Sequence, residues 1–223
     1  MAPPKKTIMG EKEWLQQRRE VITATESAAL LGLDPWRSPA KVMAEKQAST
    51  FTGNAYTFIG QLLEPIVVQC VNHKLGTMYG LFQEGAGKVF FTHPTLRLGA
   101  TPDAGDDRGW FLECKTTKPS NYLKYSIEPP AQYVMQLITQ LLCAEKDEGH
   151  LAIMSTDLTQ TSPELHLPIT IYKVTRGQRI CELLEQELNR FWEAQDTKQT
   201  FRVNSAVKSE AIQLIQGAYE RVL

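Results

Sequence analysis

The chain of 223 residues has no CxxC pair, no excess of either charge, and no apolar run approaching the ~20 residues a membrane span needs. Its four cysteines, Cys70, Cys114, Cys143 and Cys181, lie far apart, which argues against structural zinc and favours buried, reduced thiols. The beginning lacks the apolar segment of a secretory leader, so an intracellular protein is expected. A formal net charge of −1 argues against binding nucleic acid over the whole surface by bulk electrostatics. A basic groove offset by acidic surface elsewhere stays open. The four histidines, His73, His93, His150 and His166, show no ligand spacing and are expected at the surface or in turns. Gly85-Ala86-Gly87-Lys88 lacks Walker spacing and a following Ser or Thr, so no ATP site is proposed. There is no internal repeat and no low-complexity tract.

What remains is an ordinary globular composition, 42% hydrophobic and 22% charged. The length suits a single domain, with a core over about residues 11–195, a flexible start over 1–10 and a helical extension over 196–223. Apolar periodicity predicts helices over 11–19, 27–31, 39–47, 54–75, 130–143, 177–195 and 205–223. Thr23 is read as a cap reaching Glu26, Pro65 as the start of a new turn that leaves Glu64 in a bend, and Gly76 as a helix stop. Strands are predicted over 77–83, 89–92, 96–100, 110–116, 149–155 and 166–174. The order points to an α/β protein, a mixed central β-sheet flanked by helices.

One stretch carries chemistry. Asp103 follows Thr101-Pro102, and Glu113-Cys114-Lys115 closes an apolar run begun by Trp110-Phe111-Leu112. Gly105-Asp106-Asp107-Arg108-Gly109 between them has turn chemistry, so the two halves should pair as a hairpin. Strand alternation puts Phe111, Glu113 and Lys115 on one face and Trp110, Leu112 and Cys114 on the other. Asp103 and Glu113 can then hold a hard divalent ion through oxygen, with Lys115 orienting or deprotonating a water. A solvated acidic turn before a strand with a surface Glu and Lys would show the same letters.

Separated blocks narrow the choice: Trp14 with Arg18-Arg19-Glu20-Val21-Ile22-Thr23-Ala24-Thr25, then Gly60-Gln61-Leu62-Leu63-Glu64, the Asp103 and Glu113-Cys114-Lys115 pair, and Tyr133-Val134-Met135-Gln136. From about Trp14 to Gln195 the chain resembles the lambda exonuclease or YqaJ-like phage recombination exonucleases of the PD-(D/E)xK superfamily. The resemblance implies a restriction-endonuclease-like core and a Mg²⁺-dependent, or Mn²⁺-dependent, deoxyribonuclease with two ions per active site. By it, Asp103, Glu113 and the carbonyl of Cys114 are metal ligands, Glu64 completes the acidic cluster and Lys115 stands near the attacking water. Burying an unpaired Glu64 among Leu62, Leu63, Ile66 and Val67 would be costly, which favours that role over a solvated carboxylate. Arg18 would grip a 5′-terminal phosphate with help from Thr25, and Arg19 is the competing candidate. Trp36 and Arg37 are candidates for DNA contact, with packing an equal reading for Trp36. Gln136 matches the first glutamine of the family's Gln-x-Gln. Ile138 replaces the second, and Gln140, on the same helical face, either substitutes or belongs to a solvated stripe.

The expected activity is 5′-to-3′ degradation of one strand of linear duplex DNA, leaving 3′ overhangs for strand-annealing recombination. The resemblance further implies a homotrimeric ring, a single-strand annealing protein as partner, and the cytoplasm of a bacterial or phage-infected cell. Alternatives are an endonuclease of restriction or repair type and a non-catalytic DNA-binding module.

Overall fold

The computed structural model describes residues 4–47, 55–82, 87–157 and 167–223. The linker over 48–54, Gly85-Ala86 and His166 lie outside the described residues. Among those described, β1 (Lys5–Met9) precedes α1 (Glu11–Glu20), β2 (Ile22–Thr23), α2 (Ala24–Leu30), α3 (Pro39–Gln47) and α4 (Ala55–Leu75). Next come β3 (Gly80–Leu81), β4 (Lys88–Thr92), β5 (Leu98–Ala100), β6 (Ala104–Gly105) and β7 (Phe111–Thr117). The chain continues through α5 (Pro119–Tyr125), α6 (Ala131–Cys143), β8 (Glu148–Ser155), β9 (Ile169–Thr175), α7 (Gln178–Asp196), α8 (Ser205–Gln216) and β10 (Tyr219–Arg221).

The strands form two mixed sheets, one of four strands in the order β1-β4-β5-β2 and one of six in the order β10-β9-β8-β7-β6-β3. β7 and β8 run parallel, as α5 and α6 between them require, and β2 pairs parallel with β5. The apolar faces of β7 are divided as alternation demands. Phe111 joins the larger core with Leu137, Ile138 and Leu141 of α6, while Leu112 and Cys114 join Val67, Val68 and Val71 of α4. Burying each such Leu or Ile contributes about 1.5–3 kcal/mol as an upper figure. β7 is thereby clamped on both sides, which fixes the positions of Glu113 and Lys115 along it.

Three expectations give way. The start is not flexible over its whole length, because Lys5 to Met9 pair antiparallel with Thr92 to Lys88 of β4. Only Met9 of that segment is buried, so its local pattern carries no signal and the neighbouring edge supplies the order. Pro65 does not restart α4, which runs unbroken through it. Pro65 and Gln61 are both exposed, so water can take the carbonyl that the missing N–H leaves free. Residues 196–223 are not all helix, since β10 pairs with β9 as Tyr219↔Val174 to Arg221↔Tyr172 and extends the sheet.

Other local readings match. Thr23 and Glu26 close a reciprocal capping box at the start of α2. The predicted hairpin forms with Ala104 opposite Leu112 and Gly105 opposite Phe111. Its turn needs Gly109, whose φ of +81° disfavours any residue with a Cβ.

Candidate active site and phosphate cradle

The hairpin sets the first half of the site. Asp103 Oδ2 accepts the Cys114 N–H at 2.7 Å, which fastens the residue before β6 to the middle of β7. Glu113 is 1% exposed and its carboxylate is ringed by donors. Lys115 Nζ and Gln136 Nε2 both reach Oε1 at 2.5 Å, and Gln140 Nε2 reaches Oε2 at 2.5 Å. Gln136 and Gln140 are one turn apart on α6, so a single helix face presents two amides to one carboxylate. Gln140 is wholly buried, which removes the reading of a solvated stripe. Lys115 also lies 5.3 Å from the ring centre of Tyr133.

The charges are strongly coupled. Burial raises the Asp103 pKa well above the usual carboxylate range, and Glu113 and Glu64 push it the same way against Lys115 and the Cys114 N–H. Glu64 on α4 is raised to about 7, by burial first and then by Glu113, with Lys115 and Lys88 opposing. Burial works against the charge of Lys115, but Glu113 and Asp103 outweigh it and raise its pKa. The neighbouring carboxylates thus favour the ammonium form of Lys115.

Among the described residues no three His, Cys, Asp or Glu side chains stand in an arrangement that already encloses an ion. The donor chemistry nonetheless fits Mg²⁺, which keeps several waters and is bound through one or two carboxylates. Among the described residues Glu113 Oε2 accepts only the Gln140 amide and retains a lone pair, and the repulsion that adds to burial in raising Asp103 and Glu64 is what a cation would relieve.

A second cluster gathers at the junction of α1, α2 and α3. Arg18, half-buried, is lowered in pKa by burial and by Arg37, with Glu26 opposing. Arg19, one residue on, is exposed. The Thr25 hydroxyl, exposed at the start of α2, lies 3.0 Å from that of Thr23. Asp34 Oδ1 accepts the N–H groups of Trp36 and Arg37, forming a turn that leaves Trp36 66% exposed and so sets aside a packing role. Arg37 faces Glu45 at 3.6 Å. Trp14 connects the clusters: the Arg18 guanidinium lies 4.6 Å from its ring centre, and its Nε1–H donates to Thr101 Oγ1 at 2.9 Å, two residues before Asp103.

The family model of the YqaJ-like viral recombinase domain matches residues 13–147, a span that contains both clusters. The chain belongs to this family. It is 27% identical over 141 residues to an uncharacterized protein YqaJ of Bacillus subtilis, covering 60% of this chain and 42% of that one. The chain thus spans less than half the length of that relative. In fold it is similar to the alkaline exonuclease LHK-Exo of Laribacter hongkongensis, with TM-score 0.66, 18% identity, and coverage of 91% of this chain and 99% of that one. The same enzyme in complex with dAMP gives TM-score 0.68 at 19% identity, again over 91% and 99% of the two chains. A phage-related exonuclease of Haemophilus somnus gives 0.58 at 12% identity, over 79% of this chain and 94% of that one.

Sequence reasoning undervalued or missed several groups. Gln140 carried a signal in its four-residue spacing from Gln136. Lys46, whose ammonium reaches into the second cluster, sits in a polar stretch that marks nothing. His150 was expected at the surface, yet it is buried, shares a 2.7 Å hydrogen bond with the Tyr79 hydroxyl and packs on Trp110. Its isolation from other ligands gave no hint of that, because it serves the core rather than chemistry. The remaining described histidines agree better: His73 is exposed and His93 lies in a turn.

Proposed function

We propose that this YqaJ-family chain is a Mg²⁺-dependent nuclease that degrades one strand of linear duplex DNA from its 5′ end. The observation that carries this reading is the carboxylate cluster of Asp103, Glu113 and Glu64 with the Lys115 ammonium among them. Two carboxyls whose charge is disfavoured by burial stand beside the Glu113 carboxylate and the Lys115 ammonium, an arrangement that stability alone would not require. Asp103, Glu113 and the Cys114 carbonyl would hold the ion, and Glu64 would serve a second ion or a water. When bound, the ion acidifies a coordinated water and neutralises charge growing on the scissile phosphate. Lys115 orients that water or a phosphate oxygen, while Gln136 and Gln140 hold the Glu113 carboxylate in one rotamer.

The second cluster supports the polarity that the family resemblance implies. Arg18 and Thr25 would grip a terminal 5′ phosphate, and Arg37 with the exposed Trp36 would meet the duplex alongside. An enzyme that holds the 5′ end beside its cutting groups removes nucleotides from that end and leaves a 3′ overhang, a substrate for a single-strand annealing protein. A ring of three subunits around the duplex would supply processivity to a chain of near-neutral charge. The dAMP complex of a fold relative accords with a nucleotide-binding site.

The test is gel analysis of linear duplex with Mg²⁺, labelled at the 5′ or the 3′ end. Early release of the 5′ label, rapid decay of 5′-phosphorylated ends and resistance of closed circles are expected. Equal cutting of closed circles would replace the proposal with an endonuclease, and no hydrolysis with any divalent ion would leave a DNA-binding module.

A further inference from the structure

We propose that Lys46 is a positioning residue for the terminal-phosphate cradle, holding Arg18 and the Thr23–Thr25 turn in register without itself meeting the substrate. This rests on reading Arg18 and Thr25 as phosphate ligands. Lys46 lies in the last turn of α3, a helix packed against both α1 and α2, and its side chain is only 3% exposed. Its Nζ donates at 2.6 Å to the carbonyl oxygen of Arg18 and at 2.6 Å to Glu26 Oε2. The first bond places a cation on one of the terminal carbonyls of α1, in the turn that carries Arg18. The second engages the carboxylate oxygen that accepts the Thr23 N–H at 2.8 Å in the α2 capping box. One ammonium therefore ties the backbone of the arginine turn to the side chain that caps the threonine turn.

A buried ion pair is poor value as a stabiliser, since well-packed apolar groups do as well or better. Its cost is intelligible where a fixed geometry matters. The cluster also gathers three cations, Arg18, Arg37 and Lys46, beside the carboxylates of Glu26 and Glu45, a setting suited to an incoming dianionic phosphate. With Lys46 committed to Glu26 and to the Arg18 backbone, direct contact falls to Arg18, and Lys46 determines where its guanidinium stands.

The experiment measures binding of the full chain, in EDTA so that no hydrolysis occurs, to otherwise identical linear duplexes ending in 5′ phosphate or 5′ hydroxyl. The preference ratio is read by fluorescence anisotropy for wild type, K46M and K46R. K46M is expected to lose about ten-fold of the wild-type preference, the lower end of what losing a group that orients a direct ligand costs. Its affinity for the hydroxyl end should be unchanged. K46R, which keeps the donors, should recover part of the ratio. A K46M ratio equal to wild type, or equal weakening on both ends, overturns the proposal. Should K46M fail to fold, E26Q substitutes. It keeps the shape but removes the ion pair, and should lower the ratio several-fold; an unchanged ratio overturns the proposal equally. Wild type that binds both ends alike would overturn the terminal-phosphate reading and this inference with it, a result distinguishable from failure of Lys46 alone.

Discussion

Replacing Glu64 with Gln should make the metal-free protein more stable while weakening its response to Mg²⁺. The Glu64 carboxyl titrates at about 7 in the fold against an ordinary value of 4.5, because burial and Glu113 disfavour its charge. Folding therefore favours the protonated form, and the protein loses stability as pH rises from the unfolded value through the folded one. The full difference corresponds to about 3 kcal/mol. Allowing for partial exposure of the side chain, about 1–2 kcal/mol survives at pH 8. For a chain of this size that is about 3–6 °C in Tm. Glu64→Gln should thus melt higher than wild type at pH 8 in EDTA, and the gap should shrink to about a quarter at pH 5, where folded Glu64 keeps its proton. Added Mg²⁺ should raise the wild-type Tm more than that of the variant. The assay is differential scanning calorimetry over a pH series with and without Mg²⁺. A variant no more stable than wild type at pH 8, or a gap that does not change with pH, refutes the account of the acidic cluster.

Three further outcomes follow from the same structure. Lys115→Met leaves the 1% exposed Glu113 carboxylate with amide partners only. It should cost about 3 kcal/mol in urea unfolding, the lower end for breaking a buried pair, and abolish Mg²⁺-dependent hydrolysis; retained hydrolysis would sink the site assignment. Gln140→Leu removes one charge-assisted bond but also an amide oxygen that has no hydrogen-bond partner. The net cost should be about 1–2 kcal/mol, with a clear fall in single-turnover rate, and a loss of stability without loss of rate would separate Gln140 from catalysis. His150, buried first of all and facing Arg108, has its pKa lowered to about 4 from 6.5. The unfolded chain binds the extra proton between these values, so stability should fall as pH drops from about 6.5 to 4, and His150→Gln should flatten that part of a Tm titration.

Much of this arrangement was legible in the residues because local and tertiary demands coincide. The Asp103 to Lys115 hairpin combined turn chemistry, alternation and burial in one short segment, and the Thr23–Glu26 box needed only its own three-residue spacing. β1 and β10 escaped notice because edge strands are ordered by the neighbour they pair with, and their own letters are mostly exposed. Pro65 misled because the rule for proline concerns a lost hydrogen bond, and an exposed helix side can make that loss good with water. Lys46 was illegible for a related reason: its partners are a carbonyl at position 18 and a carboxylate at position 26, and only packing of three helices brings them together.

The α6 helix shows where such reading has most power. Ten consecutive residues from Val134 to Cys143 are buried, and three of them, Gln136, Thr139 and Gln140, are polar. Thr139 bonds to Ser27 and to the Met135 carbonyl, an ordinary settlement for a core hydroxyl. The two glutamines instead spend their amides on a single carboxylate from another element. If Glu113 were apolar, both glutamines could be leucines and the helix would pack at least as well. Neither set of residues explains itself through stability; what the glutamines do is fix the Glu113 carboxylate in one place inside the core. That immobility is what the proposed ion site asks of it.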